Sequence, residues 1–204
     1  MTAFKPGDKI AFSGFCLESA IICLATYGLP YLGRYWPRWC TSISHIGVVG
    51  EYKDDLYIFE STTHDDCSDV CAIRRVPCDG VQAHEIEDRI EKYNGRVWHY
   101  PLTTALYSHE VVRSTEFLVS CLGRSYDEPG AIRSGMMGST YLLGFLEEQL
   151  GDESLEWLFC SEFVAAHDTT VGIFKTTNAS GWSPNRLIRK QRHISLLRKP
   201  IILK

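Results

Sequence analysis

The run His45-Ile46-Gly47-Val48-Val49-Gly50, the polar turn Tyr52-Lys53-Asp54-Asp55 and the run Leu56-Tyr57-Ile58-Phe59-Glu60 constrain the fold of this chain more than any other feature. Two short runs rich in β-branched and aromatic residues, joined by so few polar ones, pair most readily as antiparallel strands. That pairing also predicts a contact. His45 begins the first strand and Glu60 ends the second, so the hairpin brings an imidazole and a carboxylate together. A carboxylate that accepts one imidazole N–H fixes the tautomer and leaves the other nitrogen to take a proton. Each residue alone has a plainer reading: a half-buried histidine in a sheet, and a solvated strand end.

A nucleophile for that base stands late in the chain. Trp157-Leu158-Phe159-Cys160-Ser161-Glu162-Phe163-Val164-Ala165-Ala166 reads as an apolar approach running into an amphipathic helix. The first turn of a helix presents unpaired N–H groups and a positive dipole end, and both favour a thiolate. Eight cysteines in 204 residues are too sparse for the disulfide framework of a small secreted domain. Cys16, Cys23 and Cys121 fall on apolar helical stretches, where a free thiol packs as a small hydrophobe. His64, Cys67, Cys71 and Cys78 are metal-ligand residue types, but their irregular spacing lacks the tight pairs of a structural zinc site. Asp65, Asp66 and Asp69 mark that region as a polar loop. Sequence identifies no partner for His84, His99, His109, His167 or His193. His167 lies two helical turns beyond Cys160, about 10 Å by helix rise, too far to be its base.

Elsewhere, Pro6-Gly7-Asp8 turns into a strand over 9–13, and helical spacing covers 16–27. A weaker strand is expected over 70–76, a helix over 84–93, a strand over 96–100 and a helix over 108–122. Further helices are expected over 140–150 and from 160 to about 169, then a short helical turn at Pro184-Asn185 and a last strand over 194–203. Strands and helices that do not strictly alternate predict one α+β domain over 1–204. A formal net charge of −4 gives no reason to expect nucleic acid as a partner. The loop Tyr31 to Trp39 gathers aromatics and arginines, and Tyr35 and Trp36 are candidates for the lip of a substrate cleft or for weak contact with a membrane surface. Residues 1–8 lack signal-peptide character, and Phe15 to Leu32 carries too many polar residues to span a bilayer. A cytoplasmic product is expected, and delivery in a phage or virus particle would leave no mark in these residues.

The strings Pro6-Gly7-Asp8, Ser44-His45-Ile46-Gly47-Val48-Val49, Phe59-Glu60, Gly123-Arg124-Ser125-Tyr126-Asp127 and Phe159-Cys160-Ser161-Glu162-Phe163-Val164 occur in a telling order. Over roughly 6–190 the chain resembles the circularly permuted NlpC/P60-like proteins, the YiiX/YebB-like branch of the papain-like cysteine hydrolases. The resemblance implies a permuted papain-like fold, an antiparallel sheet packed against helices that include the nucleophile helix. It implies Cys160 as nucleophile, His45 as general base and Glu60 as the residue orienting it. The Cys160 backbone N–H would contribute to an oxyanion hole, and Ser44 and Tyr126 join Tyr35 and Trp36 as substrate-binding candidates. The implied reaction is cleavage of an amide bond, in a peptide, isopeptide or cell-wall peptide, through a thioester and with no cofactor. Two alternatives accompany it: acyl transfer or amidase action on lipid or acyl-amide substrates, and a catalytically silent binding module.

Overall fold

The computed structural model describes residues 3–14, 43–62, 70–126 and 159–204. The helices expected over 16–27 and 140–150, and the aromatic loop carrying Tyr35 and Trp36, lie outside the described residues. Among those described, the strands are β1 (Lys9–Gly14), β2 (His45–Tyr52), β3 (Asp55–Thr62), β4 (Gly80–Glu85), β5 (Gly95–Tyr100) and β6 (Ile201–Ile202). The helices are α1 (Ile86–Lys92), α2 (Ser108–Cys121), α3 (Cys160–Val171) and α4 (Pro184–His193). The strands form one antiparallel sheet in the order β4-β3-β2-β1-β5-β6. The fold class is therefore mixed α+β.

The hairpin forms where the spacing predicts. Tyr52 pairs with Asp55, and Lys53 and Asp54 both take positive φ, 52° and 68°. Two central residues at positive φ match the right-handed twist of the strands they join. Period-two alternation then sorts side chains between two faces. Ala11, Ile46, Val48, Phe59, Val81 and Ala83 share a core with Leu118 of α2, Phe163 and Val164 of α3 and Leu187 of α4. Ile10, Phe12, Val49, Ile58 and Val97 form a second core on the other face with Ile86 and Tyr93. A side chain on Gly50 would meet Leu118 Cδ1 at 2.3 Å, so glycine is what lets α2 settle against β2.

Three segments differ from their sequence reading. Residues 70–76 form a turn, closed by Arg75 N–H to Cys71 O at 2.7 Å and Cys71 N–H to Val76 O at 3.0 Å. The stretch read as one helix over 84–93 divides, because His84 and Glu85 extend β4 against β3 and the helix begins only at Ile86. Sheet hydrogen bonds to a neighbouring strand override a helical period that a single chain displays by itself. The last strand shrinks to Ile201–Ile202, while the helical turn at Pro184 grows into α4, with proline in its first turn and Lys190, Arg192 and His193 in its last. No helix among the described residues is long and apolar enough to cross a membrane.

Candidate active site

Glu60 is the hub. Its carboxylate is fully buried and lies 2.6 Å through Oε2 from His45 Nε2. Arg89 Nε donates to Oε1 at 2.6 Å and Arg89 Nη2 donates to Oε2 at 3.2 Å. His84 Nε2 stands 3.1 Å from Oε1. Burial would push the Glu60 pKa up, yet Arg89 first, then His45 and His84, hold it well below the usual carboxylate range. The local register makes room for the group. Beyond the Val48–Phe59 pair, Glu60 falls opposite Gly47, where a Cβ would lie 3.3 Å from Glu60 Cβ and 2.8 Å from Ile58 Cγ2.

Arg89 comes from α1, where i, i+3 spacing puts it on the same face as Ile86. Its guanidinium lies against both the Phe12 and Tyr93 rings, 5.1 and 5.2 Å from their centroids, and the two rings contact each other at 4.8 Å. The rings shield this cation from water while their π faces attract it. Sequence reasoning missed both Arg89 and His84. An arginine in register with isoleucines on a short helix was the available signal for Arg89. His84 gave none, because its helix reading concealed its place in the sheet.

His45 joins this cluster to the thiol. Burial works against a charge on the ring, but the Cys160 sulfur, by charge and hydrogen bond, and then Glu60 push its pKa from 6.5 up to about 10. Glu60 engages Nε2, which leaves Nδ1 to serve the sulfur. His45 is the point of access, with 12% of its side chain exposed against none of Glu60.

Cys160 is the first residue of α3. Phe159 precedes it in an extended conformation, φ −92° and ψ 167°, and no side chain caps the helix. The N–H groups of the first turn are therefore not taken by a capping side chain, and Cys160 stands at the positive end of the helix dipole. The helix itself differs from the amphipathic reading, since every residue from Cys160 to Asp168 is buried.

A strap registers the start of α3 against the start of β2. Ser161 Oγ donates to Trp182 O, and Ser180 Oγ donates to Glu162 Oε1. A few residues on, Asn185 grips the backbone just ahead of β2: Ile43 N–H donates to Asn185 Oδ1 at 3.0 Å, and Asn185 Nδ2 donates to Ile43 O at 2.9 Å. One short segment thus holds both the first turn of α3 and the chain leading into His45.

The remaining candidates fall in different places. The Ser44 hydroxyl turns into the sheet, 3.4 Å from Phe12 O and 3.4 Å from Gly14 N, where it staples β1 to β2. Tyr126 is half-buried at the end of a described stretch. Cys71 and Cys78 are buried as free thiols, while His64 and Cys67 lie outside the described residues.

A second buried polar cluster occupies the opposite face of the sheet. Lys9 Nζ meets Asp168 Oδ1 at 2.9 Å, Gln191 Nε2 donates to Asp168 Oδ2 at 2.7 Å, and His167 Nδ1 stands 2.7 Å from Asp168 Oδ1. His167 Nε2 is 2.8 Å from Ser114 Oγ. All five residues are at most 1% exposed. Burial, and secondarily Lys9, lowers the His167 pKa against the pull of Asp168, so the ring is neutral. Burial would raise Asp168, but Lys9 and His167 hold it low.

No family model matches the chain, and no curated protein matches it. Among solved structures, one described as metalloprotein yiiX from Escherichia coli O157:H7 is similar in fold. It superposes with a TM-score of 0.52 over 97% of this chain and 88% of that chain, at 14% sequence identity.

Proposed function

We propose that this chain is a single-domain cysteine hydrolase of permuted papain-like topology, acting on amide bonds of peptide or acyl-amide substrates. The observation that carries the reading is the continuous line from Cys160 through His45 to Glu60, with an imidazole whose pKa stands at about 10. At neutral pH such a ring is an imidazolium, a proton donor standing beside the Cys160 sulfur. The sulfur attacks the substrate carbonyl, and the developing oxyanion lies at the start of α3, toward the Cys160 N–H. His45 passes its proton to the leaving amine, leaving a thioester and a neutral ring. The same ring then takes a proton from water, which attacks the thioester and releases the acid. Glu60 holds the ring orientation throughout, and Arg89 keeps Glu60 ionised. The reading needs no metal, and the donor set does not suit one. A guanidinium already faces both oxygens of Glu60.

The test is site-resolved alkylation by iodoacetamide as a function of pH, in wild type and in His45→Ala. Rapid reaction at Cys160 near neutral pH, lost in His45→Ala while Cys121 is unaffected, is the expected result. A Cys160 that reacts no faster than Cys121 sinks the mechanism.

A further inference from the structure

Cys71 and Cys78 play no part in the proposed reaction, yet they are arranged together. Both reach one carbonyl: Cys71 N–H donates to Val76 O at 3.0 Å, and the Cys78 thiol donates to the same oxygen at 3.6 Å. Arg74 bridges them: its backbone N–H points at Cys71 Sγ at 3.5 Å, and its Nη1 lies 3.9 Å from Cys78 Sγ. Ala83 N–H, from β4, points at Cys71 Sγ at 3.4 Å. N–H groups aimed at a sulfur favour negative charge on it, which is what thiol–disulfide exchange requires of an attacking or leaving sulfur. The loop between the pair is already closed by Cys71 N–H to Val76 O at 3.0 Å, and Ala72 N–H to Ala83 O at 2.8 Å pins it to β4. Arg74 Nη1 also reaches Leu122 O at 3.3 Å, at the end of α2. Cys71 is fully covered, whereas Cys78 lies between the exposed residues Pro77 and Asp79. The two sulfurs thus have an inner and an outer position.

The geometry points to a redox-active dithiol at Cys71 and Cys78, a site that a small-molecule disulfide converts to an intramolecular disulfide. The outer Cys78 sulfur attacks the reagent's S–S bond, forming a mixed disulfide and releasing one reagent thiol. Cys71 sulfur then attacks Cys78 sulfur and expels the second. Two protein thiols lose two hydrogens and two electrons, and the reagent disulfide becomes two thiols. Burial and the neighbouring Cys71 push the Cys78 thiol up, with Arg74 pulling the other way, so exchange accelerates on the alkaline side. The crosslink fastens the loop that borders β4, the strand carrying His84 toward Glu60.

The experiment incubates the native full chain with oxidised glutathione at about pH 9, blocks remaining thiols with N-ethylmaleimide, and maps peptides by mass spectrometry. Cys71 and Cys78 are expected to disappear together from the maleimide-labelled pool, joined as one crosslinked species lacking two hydrogens. Dithiothreitol should restore both, and the oxidised protein should melt several degrees higher than the reduced. In Cys71→Ser, Cys78 should stop at the mixed disulfide with glutathione. The proposal is overturned if wild-type Cys71 and Cys78 remain fully labelled by maleimide, or if each carries a separate glutathione. These readouts do not depend on the reactivity of Cys160, so either proposal can fail while the other stands.

Discussion

Two buried clusters, one on each face of the sheet, use almost the same parts. Each has a carboxylate, a cation and a histidine: Glu60 with Arg89 and His45 on one face, Asp168 with Lys9 and His167 on the other. The second even reproduces a hydroxyl–imidazole–carboxylate chain, since Ser114, His167 and Asp168 stand at 2.8 and 2.7 Å. By distances alone it would pass for a triad. Access and charge decide against it. Ser114 and His167 are sealed inside the core between α2 and α3, and Lys9 on Asp168 helps keep the ring neutral. The Glu60 cluster reaches solvent through His45 and ends on a sulfur at an uncapped helix start, which drives the ring toward its charged form. A catalytic arrangement is thus defined by where a charge can develop, and by what can reach it.

The sharpest way to break this comparison is to remove the thiol or hydroxyl that ends each cluster. Cys160→Ala should lower turnover of an amide or acyl-amide substrate by at least about a thousand-fold, whereas Ser114→Ala should leave turnover within a factor of about two of wild type. Equal losses would mean that the sealed cluster takes part in the chemistry. Removing each carboxylate comes next. Asp168→Asn leaves Lys9 buried without its counter-ion and Glu60→Gln does the same to Arg89, so each should cost about 3–5 kcal/mol in urea denaturation. Glu60→Gln alone should also slow Cys160 alkylation, because only that carboxylate holds His45. If Asp168→Asn slows alkylation equally, the two clusters are coupled.

The pH dependence of stability separates them further. His167 has a lowered folded pKa, so its contribution is present above pH 6.5 and is lost as pH falls below it. His45 has a raised folded pKa, so its contribution is present below pH 6.5 and is lost as pH rises through about 10. Melting temperatures across pH should therefore show an acid limb that flattens in His167→Gln and an alkaline limb that flattens in His45→Ala. The smallest effect is expected at the strap. Asn185→Ala removes two hydrogen bonds to Ile43 and should cost about 1–2 kcal/mol, with a several-fold slower alkylation of Cys160. Unchanged alkylation would show that the strap holds the fold without setting the distance between Cys160 and His45.

The parts of this site that were legible beforehand share a property: their determinants lie close together in the chain. Period-two alternation and a short turn were enough to pair β2 with β3 and to place His45 beside Glu60. A run of apolar residues ending at Cys160 was enough to place a helix start there. Arg89, His84 and the grip of Asn185 on Ile43 were not legible. Each depends on segments that meet only after the sheet and its helices assemble, and His84 also changed from helix to strand when β4 found β3. The Lys9–Asp168 pair was hidden for the same reason, because a lysine beginning a strand ordinarily reads as a surface residue.

By itself, then, the sequence determined an α+β chain, a hairpin carrying a histidine and a glutamate, and a helix beginning on a cysteine. Local sterics, side-chain periodicity and turn length decide such features within a few residues. The tertiary structure alone decided which charges are buried and with whom. Desolvating a charge is costly enough that a carboxylate or guanidinium stays inside only when a distant segment supplies its counterpart, and that supply is settled by packing.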